Sequence, residues 1–159
     1  MIPEKVTHVL ARNGLSALEY EPGSTPTAEM AAARVGVQVG QIAKSILLAG
    51  KDGRYRMAVL PGDRKLSSSA IKRVTGVKHS MTNADQTEAV TGFRPGGVCP
   101  FGVDVEILID EGLKVYEKIF PAAGTNASAV PMTFEQLVEI TGATVCRLTD
   151  QASDESNPS

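Results

Sequence analysis

The chain of 159 residues has no tryptophan and is poor in aromatic residues, histidine and cysteine. Aromatic side chains make up only 4% of it, so the core must be aliphatic, and extended base stacking on single-stranded nucleic acid is disfavoured. Two cysteines, Cys99 and Cys146, and two histidines, His8 and His79, have no zinc-like spacing. We therefore expect no metal and no organic cofactor.

Long apolar runs and a recognisable secretory leader are also missing from the sequence. These absences predict a cytoplasmic protein without a membrane partner. The length predicts one domain, which we place at residues 1–150. The polar residues 151–159 are predicted to form a disordered tail.

Charge is unevenly distributed along the chain, although the formal net charge is only −2. Residues 44–79 carry nine Lys and Arg against two acidic residues, a balance of +7, and residues 80–159 carry four against twelve, a balance of −8. This asymmetry favours an anionic partner for the basic segment. Two solvated surfaces of opposite sign remain an alternative explanation.

Helix and strand patterns alternate irregularly, unlike those of a parallel α/β fold. Apolar residues 41–49 and 55–60, separated by a turn at 51–53, predict an antiparallel hairpin. Further helices are predicted at 3–12, 28–34, 65–74, 83–90, 111–118 and 134–140, and further strands at 17–20, 105–109, 119–120 and 144–148. The pattern predicts an α+β domain with a mixed, mainly antiparallel curved sheet surrounded by helices.

A glycine- and proline-rich stretch, residues 92–102 (GFRPGGVCPFG), is the most informative local feature. Glycine allows positive φ and close approach of a ligand to the backbone, and proline stiffens the route. The stretch is therefore predicted to form a rigid loop whose backbone N–H groups, among them those of Gly96, Gly97 and Val98, can face a ligand. The alternative is an ordinary hairpin connection.

Lys44 interrupts an apolar strand. Because Ile42, Ile46 and Leu48 alternate with it, they share its face. A lysine in such a place is costly unless its ammonium meets water, a carboxylate or an anionic ligand. A side chain that reaches the rim of the sheet is the alternative interpretation.

No familiar catalytic set accompanies these residues. The chain has no G-x-S-x-G elbow, no P-loop and no dinucleotide fingerprint. We interpret Ser67 and Ser69 as residues on a helix face rather than nucleophiles, and His79 as a surface histidine. A lone cysteine is more often a small buried hydrophobic residue than a nucleophile.

Three segments together resemble the YbaK/EbsC family, which includes the editing insertion of bacterial prolyl-tRNA synthetases. They are the strand around Lys44 (IAKSILL), the loop 96–102 (GGVCPFG) and the later 123–125 (AGT). The similarity runs in order from about residue 28 to residue 148. It implies the fold of the prolyl-tRNA-synthetase-associated domain.

The resemblance implies a freestanding deacylase that hydrolyses the ester of a mischarged tRNA. The implied substrate is Cys-tRNA(Pro) or a tRNA carrying a related small amino acid, since Ser45 stands where the alanine-editing branch usually has asparagine. Lys44 is implied to contact the tRNA end, residues 96–100 to hold the aminoacyl carbonyl, and a ribose hydroxyl to assist the attack. The catalytic candidates are Lys44, Gly96, Gly97, Val98 and Pro100, and the substrate-binding candidates are Ser45, Cys99, Phe101, Gly124, Thr125 and Asn126.

The expected partner is the acceptor 3′ end of tRNA, with prolyl-tRNA synthetase as a second candidate and no role for DNA. Five basic residues are expected to bind acceptor-stem phosphates: Arg64, Lys65, Lys72, Arg73 and Lys78. Two other functions remain open. One is a noncatalytic tRNA- or nucleotide-binding module, and the other is a regulatory protein that docks on a synthetase through its acidic C-terminal half.

Overall fold

Helices and short strands surround one long central hairpin. The computed structural model describes residues 1–150, and the predicted tail at 151–159 lies outside the described residues. The helices are α1 (Glu4–Arg12), α2 (Ala28–Val35), α3 (Ser68–Thr75), α4 (Ala84–Thr91) and α5 (Phe134–Thr141). The strands are β1 (Leu18–Glu19), β2 (Ile42–Gly50), β3 (Tyr55–Pro61), β4 (His79–Met81), β5 (Glu106–Asp110), β6 (Phe120–Pro121), β7 (Ser128–Ala129) and β8 (Thr144–Cys146).

The main sheet has the order β4-β2-β3-β5-β8. Strand β2 pairs antiparallel with β3 and β4, whereas β5 joins β3, and β8 joins β5, in parallel. The α+β class and the mixed sheet are confirmed, and the antiparallel hairpin is its longest ladder. A separate two-stranded antiparallel sheet is formed by β1 and β7.

One edge of β2 has a gap that positions the site. The edge facing away from β3 is covered by β6 at Ile42 and Ala43, and by β4 from Leu48 to Gly50. Within residues 1–150, no strand is paired with this edge between those two positions. The middle of a central strand therefore remains open on one side.

Polar side chains fix the helix starts. Thr27, Asn83 and Thr133 each accept a hydrogen bond from a backbone N–H in the first turn of α2, α4 and α5, which satisfies a donor that the helix leaves free. At the start of α5, Thr133 and Gln136 form a capping box. The predicted helix at 65–74 was wrong at its start, because Ser67 caps α3 by accepting from the Ala70 N–H.

Two other predicted elements are shorter than the sequence pattern indicated. The helix predicted at 111–118 is a 3₁₀ turn at Glu111–Val115. The strand predicted at 144–148 ends at Cys146, because Leu148 and Thr149 donate their N–H groups to the buried carboxylate of Asp110 instead.

Apolar side chains form three clusters around the sheet. The largest contains Val59, Ala43 and Phe93 and lies between the sheet and helices α1 and α5. On the opposite face of β2, Leu48 belongs to a second cluster with Ile71 of α3, and Ile42 belongs to a third with α2. Lys44 stands on that face between the second and third clusters, as its alternation predicted.

Candidate active site

A cavity of about 250 Å³ opens beside the uncovered edge of β2. Strand β2, the start of α2, the end of β4 and the glycine-rich loop all contribute to its wall. Its lining is mostly apolar and includes Pro26, Ala31, Ile42, Lys44, Ser45, Met81, Thr82, Gly96, Val98, Phe120 and Ala129. The structure thus brings together four of the predicted site residues: Lys44, Ser45, Gly96 and Val98.

Lys44 is the cation of this cavity. Its side chain is half-buried, and no ion pair within residues 1–150 engages it. Burial lowers the pKa of its ammonium, although the nearby carboxylates of Glu29 and Asp63 act in the opposite direction. The positive charge of Lys65 adds to the lowering. A partly desolvated ammonium without a carboxylate partner is suited to bind an anion or a polar ligand.

The glycine-rich stretch joins α4 to β5 and is therefore not a hairpin connection between strands. Its tip is a turn in which the Gly97 N–H donates to the Arg94 carbonyl, with a nitrogen–oxygen distance of 3.0 Å. Pro95 and Gly96 are the central residues, and Gly96 has a φ of +96°, as a type II turn requires. The Gly97 N–H is hydrogen-bonded inside the turn and is therefore not free to bind a ligand. The prediction that it is one of the candidate donors was wrong.

Gly97 has a packing role instead. A β carbon placed on it would stand 2.7 Å from the backbone nitrogen of Thr125 and 2.8 Å from the carbonyl carbon of Gly124. Only glycine allows the two loops to approach so closely. Gly97, Gly124, Thr125 and Asn126 accordingly line a second concavity of about 320 Å³, together with Arg94 and Pro95.

Ser128 organises the 123–128 loop. Its Oγ accepts hydrogen bonds from the Ala123 N–H and the Thr125 hydroxyl, each at 3.0 Å, and its own N–H donates to the Thr25 hydroxyl at 3.1 Å. Asn126 is exposed and accepts from the Gly23 N–H through its Oδ1. The predicted residues Thr125 and Asn126 thus lie in a loop whose shape is fixed by a serine and a threonine that the sequence did not indicate.

Cys99, Pro100 and Phe101 are buried behind the loop and line neither cavity. Cys99 and Phe101 belong to the largest apolar cluster. Burial raises the pKa of the Cys99 thiol to about 12. A thiol that stays protonated in an apolar core is unreactive, so the general expectation for a lone cysteine applies here.

The predicted basic residues lie outside both cavities. Lys65, Lys72, Arg73 and Lys78 are exposed, whereas Arg64 is half-buried. Since α3 begins at Ser68, Lys65 lies before the helix that carries Lys72.

Arg56 does not contribute to a basic surface, although it was counted in the basic segment. Its side chain is buried, and its guanidinium donates to Asp52, Glu106 and the Nε2 atom of His79. His79 is half-buried and its Nδ1 lies 2.9 Å from the Val77 carbonyl, so these partners place its proton on Nδ1. The prediction of a surface histidine was incomplete, because His79 is only partly exposed and also contacts a buried arginine.

Several lining residues were missed because they come from distant parts of the chain. Pro26 and Thr82 lie at the ends of two separate elements, and no periodic pattern links them to Lys44. Thr82 binds the Leu47 carbonyl through both its N–H and its hydroxyl, so it ends the β4 ladder at the cavity. The sequence signal that could have identified Thr82 was its position directly after a short strand.

Residues 1–150 contain no group of three or more His, Cys, Asp or Glu side chains arranged to hold a metal ion. None of their helices combines the length and the apolar character needed to cross a membrane.

Comparison with known families and proteins gives consistent matches. The family described as "Aminoacyl-tRNA editing domain" matches residues 22–140. The Bacillus subtilis protein YwhH is 36% identical over 123 residues, which cover 76% of this chain and 78% of YwhH.

Two further proteins carry functional descriptions. The Enterococcus faecalis protein named "Putative Cys-tRNA(Pro)/Cys-tRNA(Cys) deacylase EbsC" is 25% identical over 126 residues, 77% of each chain. The crystal structure of a "putative trans-editing enzyme for prolyl tRNA synthetase" superposes with a TM-score of 0.84 and 30% identity, covering 94% of this chain and 99% of the other.

Proposed function

Because the chain belongs to the aminoacyl-tRNA editing domain family, we propose that it is a freestanding trans-editing deacylase of mischarged tRNA. The proposed substrate is Cys-tRNA(Pro) or a tRNA(Pro) carrying a related small amino acid. The names of EbsC and of the superposed editing enzyme support this substrate. We place the activity in a single domain spanning residues 1–150 and in the cytoplasm.

One observation carries the proposal: the half-buried ammonium of Lys44 shares an apolar cavity with Gly96 and Val98. In the reaction, water adds to the ester carbonyl, the bond from the acyl carbon to the ribose oxygen breaks, and that oxygen takes a proton. The products are free amino acid and tRNA. A ribose hydroxyl of the substrate assists the attack, so the protein needs no nucleophile of its own.

The protein supplies orientation and charge stabilisation. Lys44 holds the terminal phosphate or ribose, which fixes the ester in the cavity. The N–H groups of Gly96 and Val98, which have no backbone partner in the turn, stabilise the oxyanion, each by about 3–4 kcal/mol at most. Gly97 and Pro100 keep the loop in shape. Cys99 and Phe101 support it from the core.

The remaining predicted residues act around the ester. Ser45 contacts the aminoacyl group, and Gly124, Thr125 and Asn126 form the adjoining wall. The basic residues Arg64, Lys65, Lys72, Arg73 and Lys78 bind acceptor-stem phosphates without reading sequence. Removal of one such contact, as in Lys72→Ala, should reduce the slope of log affinity against log salt by about one. Prolyl-tRNA synthetase is the proposed protein partner.

Deacylation of Cys-, Ala- and Ser-tRNA(Pro) tests the proposal. The protein should hydrolyse at least one of them, and Lys44→Ala should lower kcat/KM about 10–100-fold, as expected for loss of a charged hydrogen bond. Gly96→Ala should also lower kcat/KM, because Gly96 has a φ of +96°, which disfavours a residue with a side chain. Lys51→Ala is the matched control, since Lys51 is an exposed lysine on the hairpin turn. Binding of tRNA without turnover of any ester would identify a noncatalytic binding module instead.

A further inference from the structure

The backbone of Ser45 faces the gap in the edge of β2. The Gly50 N–H donates to the Arg54 carbonyl on the β3 side, at 2.8 Å. Hydrogen-bonded and non-hydrogen-bonded pairs alternate along an antiparallel ladder, so the even-numbered residues of β2 point their N–H and C=O groups toward β3. The odd-numbered residues, Ser45 included, point theirs toward the opposite edge.

Two hydrogen bonds on that opposite edge agree with this assignment. The Lys51 N–H donates to the Lys78 carbonyl at 2.9 Å, and the Leu47 carbonyl accepts from the Thr82 N–H at 3.4 Å. Ala43 is paired with Pro121 of β6. Ser45, opposite Val59 in a non-hydrogen-bonded pair, is the odd-numbered residue left between them. Its N–H and C=O have no strand beside them in the described part of the chain.

The side chain of Ser45 is also unsatisfied. Its Oγ is buried and has no hydrogen-bond partner within residues 1–150, although such groups are normally paired. Ser45 lines the cavity. Ser45 therefore has an unpaired main-chain donor and an unpaired main-chain acceptor at the gap beside the cavity, and a buried hydroxyl without a partner next to them.

This set complements an amino acid. An aminoacyl ester carries a donor, the α-ammonium, and an acceptor, the ester carbonyl, on either side of one carbon, as a strand residue does. We propose that the aminoacyl group binds Ser45 as a one-residue antiparallel strand that fills the gap between β6 and β4. The Ser45 carbonyl accepts from the ammonium, and the Ser45 N–H donates to the ester carbonyl. A parallel arrangement is excluded, because in a parallel pair the N–H and the C=O of one residue bond to two different residues of the neighbouring strand, and the ligand has only one residue.

The pairing also has a consequence for specificity, and it rests on the proposed deacylase function. Directly opposite residues of an antiparallel pair place their side chains on the same face. The side chain of the bound amino acid therefore lies beside the Ser45 Oγ. A hydroxyl or thiol on its β carbon satisfies that oxygen, whereas the methyl group of alanine does not. The main-chain contacts select an amino acid ester, and Ser45 Oγ selects a small polar side chain.

Removal of the Ser45 N–H alone is the central test. Lactate incorporated at position 45 of the full chain replaces that N–H with an ester oxygen, and Ser45→Ala has the same side chain. The β2–β3 ladder loses no N–H donor, since this N–H does not point toward β3. The Lys44 carbonyl, which does face β3, becomes the weaker acceptor of an ester, and lactate at Ala49 makes the same change at the Leu48 carbonyl. We expect kcat/KM for every aminoacyl-tRNA hydrolysed by the parent to fall about 10²-fold relative to Ser45→Ala, as for loss of an oxyanion donor. Lactate at Ala49, whose N–H faces β4, is the matched control and should retain activity.

Two further measurements distinguish the contacts. Ser45→Ala should lower kcat/KM for Cys- and Ser-tRNA more than for Ala-tRNA, so that the preference for the two polar side chains falls. For a substrate whose α-amino group is replaced by a hydroxyl, the rate enhancement over uncatalysed hydrolysis should be at least about tenfold smaller, because a charged hydrogen bond is lost. Binding of deacylated tRNA should be the same for the lactate protein and Ser45→Ala.

Equal kcat/KM of the lactate protein and Ser45→Ala would overturn the proposal. Weaker binding of deacylated tRNA by the lactate protein would also overturn it, because the N–H would then contact the nucleotide. If the parent hydrolyses no ester, the proposed function fails separately. The pairing is then decided by NMR titration with a 3′-aminoacylamino-3′-deoxyadenosine, which should bind the Ser45→Ala protein at least tenfold more tightly than the lactate protein.

Discussion

The backbone of Gly97 lies against Thr125 so closely that a β carbon on Gly97 would stand 2.7 Å from the Thr125 nitrogen. The glycine-rich loop and the 123–128 loop therefore support each other through main-chain contact. Since Gly97 also closes the turn at Arg94, the positions of Gly96 and Val98 at the cavity depend on this contact.

Gly97→Ala should displace the loop and lower both stability and activity. We expect a loss of about 1–3 kcal/mol in the free energy of unfolding, the usual cost of overpacking, measured by urea denaturation. Gly53→Ala is the control, because Gly53 has a φ of +84° but no atom within 4 Å of an added β carbon. Alanine is strained at this positive φ, so Gly53→Ala should lower the free energy of unfolding without lowering the rate of deacylation. Unchanged activity in Gly97→Ala would show that the loop contact does not position the site.

Lys44 should destabilise the folded protein at neutral pH. Because burial lowers its pKa below the usual 10.5, the folded state releases this proton before the unfolded state does. The desolvation cost is present while the amine is charged, and is relieved as pH rises through the folded pKa toward 10.5. The free energy of unfolding of the wild type relative to Lys44→Met should therefore increase over that interval. A decrease would contradict the assignment, and Lys51→Met provides the comparison at an exposed site.

Arg56 should contribute to acid stability through Asp52. Hydrogen bonds from Arg56 lower the pKa of the Asp52 carboxyl from 3.8 to about 2. A carboxyl with a lowered folded pKa stabilises the protein above its unfolded value, and this contribution is lost as pH falls through about 2. Unfolding followed by circular dichroism should show a shallower pH dependence over this interval in Arg56→Met.

The same Arg56→Met variant should lose about 1.5–3 kcal/mol at neutral pH, since a buried cation with charged hydrogen bonds is removed. Arg94→Met removes an exposed pair with Glu88 and should change the free energy of unfolding by less than about 1 kcal/mol. If both substitutions lowered the free energy of unfolding by a similar amount, burial of the Arg56 ion pairs would contribute nothing to stability.

Cys99 should be inert. Burial raises the pKa of its thiol to about 12 and that of Cys146 to about 11, so neither forms much thiolate at neutral pH. Iodoacetamide should label the folded protein slowly, at the half-buried Cys146 first. Cys99→Val should retain deacylation, since Cys99 lies behind the loop. Loss of activity in a folded Cys99→Val protein would return Cys99 to the substrate-binding residues.

Local signals in the sequence predicted much of the fold. The turn at 51–53 predicted the β2–β3 hairpin, and the helix starts predicted at residues 28 and 134 agree with α2 and α5, which begin directly after their cap residues Thr27 and Thr133. Each of these features is decided by neighbouring residues. The start of α3 was predicted wrongly because the apolar pattern continued upstream, while the hydroxyl of Ser67 determines the first turn.

The site was only partly predictable, because it is formed by residues that are far apart in the sequence. Lys44 was identified because an ammonium in an apolar strand is locally anomalous. The gap beside Ser45 depends on where β4 and β6 end, and no local pattern specifies that. The sequence indicated that Gly97 matters but predicted a donor role for its N–H. Its packing against Thr125 was not predictable, because Thr125 is remote in sequence. Arg56 was counted as surface charge because its partner Glu106 lies on β5.

The parallel pairing of β3 with β5 has a consequence for the order of folding. The hairpin joins residues close in sequence, whereas Arg56 and Glu106 are separated by fifty positions, and closing a longer loop costs more entropy. The hairpin should therefore form before β5 docks. The glycine-rich loop directly precedes β5 and reaches its place only with that strand. During synthesis, Lys44 is thus exposed on a nascent hairpin before any cavity exists around it.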